Sequence, residues 1–129
     1  MFAAYRNAAS TYNQVKVESG IAGARPIDLV VMVYEGAIAT LGKAAAQMRA
    51  GDIAAKNVSI TRAIRIIDEG LRAPLDMRAG DVAANLAGLY DYMTRRLLQG
   101  SARNDPEMID EVRNLLQDLK SAWDEIAGS

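Results

Sequence analysis

Cysteine and histidine are both missing from the 129 residues of this chain. Without cysteine the chain can form no disulfide, no thiolate nucleophile and no cysteine metal site, so a reducing compartment is permitted. Without histidine it lacks the usual general base near neutral pH and the commonest metal ligand. An enzyme built on this chain would have to work with carboxylates, Lys, Arg, Ser, Thr or Tyr alone.

Known catalytic and cofactor motifs are also missing. Glycine-rich dinucleotide and Walker patterns do not occur in the sequence. The acidic residues Asp28, Glu35, Asp68 and Glu69 do not form the Glu-x-x-His pattern of di-iron helical bundles, and no histidine exists to complete it. We therefore predict that the protein is not an enzyme and that it has no catalytic residue, no cofactor and no metal site.

Strong charge and long apolar runs are absent too. The formal net charge is −1, which disfavours a broad nucleic-acid surface. The longest strongly apolar run is Leu29-Val-Val-Met-Val-Tyr34, far below the roughly 20 residues of a membrane span. The N-terminus lacks the basic and apolar regions of a signal peptide. The sequence thus predicts a cytoplasmic protein without nucleic-acid binding or membrane insertion.

Helix signals dominate what is present. Half of the residues are hydrophobic, with much Ala, Leu and Ile, which suits a packed helical protein. Capping residues, prolines and glycines divide the chain into four helices joined by short connections. The predicted helices run from Pro26 to about Ala50, from the cap Asp52 to about Arg72, from the cap Asp81 to about Gln99 before Gly100, and from Asn104-Asp105-Pro106 to about Ala127.

The predicted fold class is therefore all-α, an antiparallel four-helix bundle over residues 26–129. Residues 1–25 differ in composition, with scattered apolar residues among Ala, Ser, Gly and Asn. We predict a flexible N-terminal arm there, or a short extra helix from Met1 to about Ser10.

Two of the predicted helices have more apolar surface than one core can bury. Behind the core stripe of the first helix lies a second surface that includes Leu29, Val33 and Ala37. On the third helix, Tyr90 and Tyr92 flank the main stripe on opposite sides, and beyond Tyr90 lies a strip of Ala83, Ala87, Thr94 and Leu98. A helix that is apolar all round is either buried or meets a partner. The arm, a second copy or a client protein must cover this surplus.

Plainer interpretations of the same residues stay open at this point. Tyr90 and Tyr92 are also consistent with core-edge residues whose hydroxyls are hydrogen-bonded. The arm could bury the strip around Leu29 and Val33 permanently. The arginines near Arg95-Arg96 suit a solvated charge network better than a phosphate site, because acids lie beside them.

A family resemblance extends over essentially the whole chain. It rests on an ordered set of short motifs, of which Leu89-Tyr-Asp-Tyr-Met93 is the most distinctive. The others include Tyr12-Asn-Gln-Val-Lys-Val-Glu-Ser19, Val33-Tyr-Glu-Gly-Ala-Ile38, Ala63-Ile-Arg-Ile-Ile-Asp68, Arg95-Arg-Leu97, Arg103-Asn-Asp105 and Ala122-Trp123. In this order and spacing, the chain resembles the FliS family of flagellin-specific export chaperones.

The resemblance implies a cytoplasmic chaperone that binds the C-terminal segment of flagellin. Such a chaperone prevents premature polymerisation and keeps the client competent for flagellar type III secretion, with the export apparatus as an indirect partner. The alternative is a structural helical protein that forms a permanent homodimer through its extra apolar faces. The expected client-binding residues are Leu29, Val33, Ala37, Ala83, Ala87, Tyr90, Tyr92 and Leu98, and the arm residues expected to cover the groove are Tyr5, Tyr12, Val15 and Val17.

The two tyrosines of the third helix should not be equivalent. Tyr90 lies beside small residues, so we expect it to be reachable at the groove edge and to contribute to client binding. Tyr92 lies near Asn85, Arg96 and Gln99, so we expect it to contribute to bundle packing or to a hydroxyl hydrogen bond. The sequence leaves open whether the arm competes with the client or clamps it.

Overall fold

The computed structural model describes residues 8–12 and 25–128 of the chain. The described residues contain helices, turns and no strand, so the predicted all-α fold is confirmed. Residues 8–10 are helical and are followed by a turn at Thr11 and Tyr12. The long helices are α1 (Pro26–Arg49), α2 (Ile53–Ile67), α3 (Asp81–Arg103) and α4 (Pro106–Gly128), with a π-helical turn at Asp68–Arg72 and a 3-10 turn at Met77–Ala79.

Local capping explains most of the helix starts. Pro26 occupies the first position of α1, and the Asp28 carboxylate accepts a hydrogen bond of 3.1 Å from the Arg25 backbone N–H. Asp52 caps α2 by accepting from the Ala55 N–H at 3.2 Å. At the start of α4, the Asp105 side chain accepts from the Glu107 N–H at 3.0 Å. These starts agree with the prediction, because each depends on neighbours in the sequence.

Helix α3 differs from the prediction at both ends. Gly80, with φ of 86°, takes the N-cap position that was expected for Asp81. The helix does not stop at Gly100 but continues to Arg103 and ends at Asn104, which has the left-handed φ of 48°. Gly100 has a packing role instead, because a Cβ there would lie 2.9 Å from the Cβ of Met108 on α4.

The end of α2 contains a feature that the sequence did not indicate. At Asp68–Arg72 the helix widens into a π-helical turn, in which the Ala73 N–H donates to the Asp68 carbonyl at 2.8 Å. The widened turn moves Gly70 against α1, where a Cβ would lie 2.8 Å from Cγ1 of Val33. The predicted end at about Arg72 is thus confirmed, and the π-helical form of the last turn is an addition from the structure.

The four long helices form an antiparallel ring. Helix α1 packs against α2 and α4, and α3 packs against the same two helices. The end of α1 meets the start of α4 through a 2.6 Å ion pair between Arg49 and Asp110, and the start of α2 meets the end of α3 where Lys56 donates to the Ser101 carbonyl at 3.0 Å. The core between the helices includes Tyr34, Leu41, Ile67, Leu71, Tyr90, Met93, Leu97, Ile109, Val112 and Leu116.

Helix α1 has the length and composition of a membrane span, with a mean hydropathy of 1.4. Much of its surface is packed against α2 and α4, as expected for the core helix of a bundle. The apolar character of α1 is therefore accounted for by its place between two neighbours and by the groove described below.

Candidate functional site

An open apolar groove runs between α1 and α2 and has a volume of about 940 Å³. Val33 and Gly36 line it from α1, whereas Val58, Ile66 and Gly70 line it from α2 and the π-helical turn. Val58, on α2, is 70% exposed. We call this surface the α1–α2 groove. Its polar lining residues are Asn57, Thr61, Arg62, Arg65 and Glu69.

Two glycines shape the α1–α2 groove in opposite ways. Gly70 allows the π-helical turn to approach Val33, since the space for a Cβ is already occupied by that side chain. Gly36 has no heavy atom within 4 Å of the place where a Cβ would lie, so it leaves open space beside Val33. The groove is therefore closed at Gly70 and open at Gly36.

The charged residues beside the groove lie in solvent. Arg65 and Glu69 form an i,i+4 pair at 3.6 Å, with both side chains about two-thirds exposed. Pairs of this kind stabilise a helix only slightly and are screened by salt. The groove thus has an apolar floor and a polar, hydrated rim.

A cluster of three tyrosines lies at one end of the bundle, where residues 8–12 meet the long helices. The Tyr12 hydroxyl lies 2.8 Å from both the Leu71 carbonyl oxygen and the Tyr90 hydroxyl, and the Tyr90 hydroxyl is hydrogen-bonded to that of Tyr34. A hydroxyl has one proton and a carbonyl can only accept. The arrangement that satisfies every group is therefore a chain in which Tyr34 donates to Tyr90, Tyr90 to Tyr12, and Tyr12 to Leu71.

Burial keeps these three phenols neutral. It raises the pKa of Tyr12, Tyr34 and Tyr90 well above the ordinary value near 10, because a phenolate would lose its hydration inside the bundle. The three hydroxyls therefore keep their protons in the folded bundle even above pH 10 and act as hydrogen-bond donors and acceptors.

Residues 8–12 contact the bundle through the ring and hydroxyl of Tyr12, the backbone carbonyl of Thr11 and the side chain of Ala8. The ring of Tyr12 meets Trp123 edge-on, with 5.4 Å between the ring centroids. The Thr11 carbonyl accepts a hydrogen bond of 2.8 Å from the Asp76 N–H. Tyr12 is 1% exposed, so this segment contributes a fully buried side chain to the core. The other arm residues expected to cover the groove, Tyr5, Val15 and Val17, lie outside the described residues.

Tyr92 joins α3 to α4 at the surface. Its hydroxyl donates to Glu111 at 2.5 Å, and Arg96 donates to the other Glu111 carboxylate oxygen at 2.6 and 3.1 Å. The hydrogen bond from Tyr92, followed by those from Arg96, lowers the pKa of the Glu111 carboxyl, and the bond to Glu111 raises the pKa of Tyr92. The expected hydroxyl hydrogen bond of Tyr92 is confirmed.

The expected accessibility of Tyr90 is wrong. Tyr90 is 1% exposed because Tyr12 and Tyr34 close over its hydroxyl. Ala83 and Ala87, on the same helix, are also buried, and α3 packs against α2, α4 and the π-helical and 3-10 turns. Leu29 and Ala37 are buried as well, on a helix that packs against two others. All five side chains are buried in this structure.

Two of the expected client-binding residues have apolar side chains that are accessible at the surface. Val33 lies in the α1–α2 groove, and Leu98 is 56% exposed on α3. The structure places them on different helices and does not unite them in a single surface among the described residues.

The sequence interpretation missed the contribution of α2 to the groove. Val58 and Ile66 were not among the expected client-binding residues. The apolar residues Ile60, Ile64 and Ile67 form one stripe that faces the core, and α2 was therefore expected to have a single apolar face. Ile66 lies well off that stripe, and this position was the available signal for a second apolar face. Among the described residues, no group of three or more His, Cys, Asp or Glu side chains could hold a metal ion.

Comparisons with known proteins agree with the sequence motifs. The family model described as flagellar protein FliS matches residues 8–129. The flagellar secretion chaperone FliS of Salmonella typhimurium is 45% identical over 117 residues, covering 90% of this chain and 87% of that protein. Proteins of the same name from Escherichia coli and Bacillus subtilis are 40% and 33% identical, covering 88% and 93% of this chain and 85% and 86% of their own lengths.

Proposed function

Because the chain belongs to the FliS family of flagellar secretion chaperones, we propose that it is a cytoplasmic chaperone for flagellin. In this proposal it binds the C-terminal segment of flagellin, prevents premature polymerisation and keeps the client competent for type III secretion. The export apparatus is then a partner only through the client. Binding of this kind needs no catalytic group, which suits a chain without histidine and cysteine.

The observation that carries the proposal is the α1–α2 groove. Its exposed Val58, with Val33 and Ile66, offers an apolar trough beside a polar rim, which is what an amphipathic helix recognises. Exposed apolar surface of this kind usually marks an interaction site. A client segment that folds as it binds must offset its ordering entropy, so it needs a surface of this extent.

Residues 8–12 supply the second part of the proposal. Tyr12 covers Tyr90 in this structure, so the client reaches Tyr90 only after Tyr12 withdraws. We propose that the arm, through Tyr12 together with Tyr5, Val15 and Val17, competes with the client for the bundle. Val33 and Leu98 are the client contacts available from the start, and Tyr92 contributes through its polar margin.

The decisive experiment compares two apolar-to-acidic changes by calorimetric titration with a flagellin C-terminal segment. Val58→Asp places a charge in the α1–α2 groove, whereas Met77→Asp changes a residue that is 49% exposed and lies outside the groove. Burying an unpaired carboxylate beneath a client is costly, so Val58→Asp should weaken binding by at least about tenfold. Met77→Asp should bind as the unchanged protein does.

Both variants should keep nearly the melting temperature of the unchanged protein, because Val58 is mostly exposed and Met77 is about half exposed. Equal affinities of the two variants for the flagellin segment would show that the α1–α2 groove does not bind the client. A protein that ignores the flagellin segment altogether and sediments as a concentration-independent dimer would support the homodimer alternative instead.

A further inference from the structure

The place that Tyr12 fills has the properties of a ligand site. Its walls come from three separate elements: Leu71 from the π-helical turn, Tyr90 from α3 and Trp123 from α4. Tyr12 itself comes from residues 8–12, which belong to none of these elements. The bundle thus encloses a side chain that enters from outside the four long helices. We call the space occupied by the Tyr12 side chain the tyrosine slot.

The inner end of the slot selects for a hydrogen-bond donor. The Leu71 carbonyl lies in the last turn of a helical segment, where carbonyls have no partner within the helix. The next available amide, that of Leu75, donates to the Arg72 carbonyl instead. A carbonyl oxygen can only accept hydrogen bonds. A ligand that reaches it must therefore donate a hydrogen bond, because otherwise the buried oxygen is left unsatisfied.

The sides of the slot select for an aromatic ring. Trp123 meets the occupant edge-on at 5.4 Å, which is a favourable geometry for two aromatic rings. Tyr90 also offers a hydroxyl that donates to the occupant's oxygen in the chain of hydrogen bonds described above. A phenol satisfies all three requirements, because it combines a flat apolar ring with one oxygen that both donates and accepts.

The slot walls are held together without Tyr12. Tyr34 is hydrogen-bonded to Tyr90, and its ring lies 6.5 Å from both Tyr90 and Trp123. Tyr34, on α1, therefore contacts both α3 and α4 independently of Tyr12. Loss of the Tyr12 side chain should consequently leave a cavity rather than a collapsed core.

We propose that the bundle carries a binding site for para-substituted phenols, which Tyr12 of the same chain occupies in this structure. Truncation of Tyr12 opens the site to a free phenol, which then takes over the hydrogen bonds to Leu71 and Tyr90. This property belongs to the bundle itself and does not depend on the chaperone role.

The test uses the full chain with Tyr12→Ala and the probe p-cresol, which has the shape of a tyrosine side chain. Toluene has the same ring and methyl group without the hydroxyl. At about ten times its dissociation constant, p-cresol should raise the melting temperature of Tyr12→Ala by about 5 °C. Toluene at the same concentration should give a much smaller rise, because it leaves the Leu71 carbonyl without a donor.

Tyr12→Phe is the matched control, because its ring still blocks the slot. Neither Tyr12→Phe nor the unchanged protein should respond to p-cresol. A response of these controls equal to that of Tyr12→Ala, or equal shifts with toluene and p-cresol, would overturn the proposal.

A refolding experiment covers the case in which Tyr12→Ala does not fold alone. The variant would be refolded from urea with p-cresol, with toluene or with neither, and helix content would be measured by circular dichroism. The proposal requires recovery of helix with p-cresol and little recovery with toluene. Failure to recover with p-cresol would reject the slot as a phenol site.

Discussion

Tyr90 and Tyr92 lie two residues apart and have opposite environments. Tyr90 packs in the core with its hydroxyl between those of Tyr12 and Tyr34, whereas Tyr92 lies at the surface and donates to Glu111. The helical period placed them on opposite sides of the α3 stripe, and that part of the prediction is right. Which side is closed depends on Tyr12, which is 78 residues away from Tyr90, so local sequence could not decide it.

We therefore expect Tyr90→Ala to destabilise the bundle far more than Tyr92→Phe does. Removing a buried ring costs about 3–5 kcal/mol, and here it also removes the hydrogen bonds that the Tyr90 hydroxyl makes with Tyr12 and Tyr34. Tyr92→Phe loses one partly exposed hydrogen bond, which costs nearer 1 kcal/mol. Urea unfolding followed by circular dichroism measures both differences. Equal losses in the two variants would show that Tyr90 is not part of a fixed core.

The helix boundaries show where local signals suffice. The helix starts at Pro26 and Pro106 and the cap at Asp52 were predicted correctly, because a cap or a proline acts on its immediate neighbours. The end at Gly100 was not, because that glycine permits close packing of α3 on α4 and has no capping role. A glycine that ends a helix and a glycine that admits a neighbouring helix cannot be distinguished from local sequence.

Alanine substitutions at two glycines of α3 should shift stability in opposite directions. Gly100→Ala places a Cβ within 2.9 Å of Met108 and 3.0 Å of Ile109, so overpacking should cost about 1–3 kcal/mol. Gly88→Ala meets no atom within 4 Å, so the better helix propensity of alanine should stabilise by about 0.5–1 kcal/mol. Denaturant midpoints of the pair test this, and a stabilised Gly100→Ala would contradict the close packing.

The bundle topology could be predicted from the helical periodicity and the short connections in the sequence. Four amphipathic segments with short connections leave little choice but antiparallel neighbours, and the structure has that arrangement. The α1–α2 groove was predicted only from the α1 side, at Val33. Its α2 side depends on the relative rotation of two helices and on the π-helical turn at Gly70, which only the packed chain determines.

Alkaline pH should unfold the bundle cooperatively. The pKa of each of Tyr12, Tyr34 and Tyr90 is raised in the folded state above the value near 10 of the unfolded chain. Below pH about 10 both states keep these protons, and stability is unaffected by them. Above it the unfolded state loses protons that the folded state keeps, so stability falls by up to about 1.4 kcal/mol per pH unit for each phenol.

The measurement follows tyrosinate absorbance and helix content in one pH titration. The part of the tyrosinate signal that comes from the three buried phenols should change together with the helix content, because these phenols ionise only when the bundle opens. Tyr34→Phe removes one of the three buried phenols and should reduce their combined contribution to the slope by about one third. Gradual formation of tyrosinate from all three phenols while the helices remain intact would contradict this prediction.

The edge-on contact between Tyr12 and Trp123 has an optical consequence. Trp123 is the only tryptophan of the chain, so all indole emission of the protein comes from this one point. The indole ring is buried, and its emission maximum depends on the polarity around it. Withdrawal of Tyr12 would admit water beside the ring and shift the emission to longer wavelength. The unlabelled protein thus carries a fluorophore at the contact between residues 8–12 and the bundle, and its spectrum reports whether that contact is made.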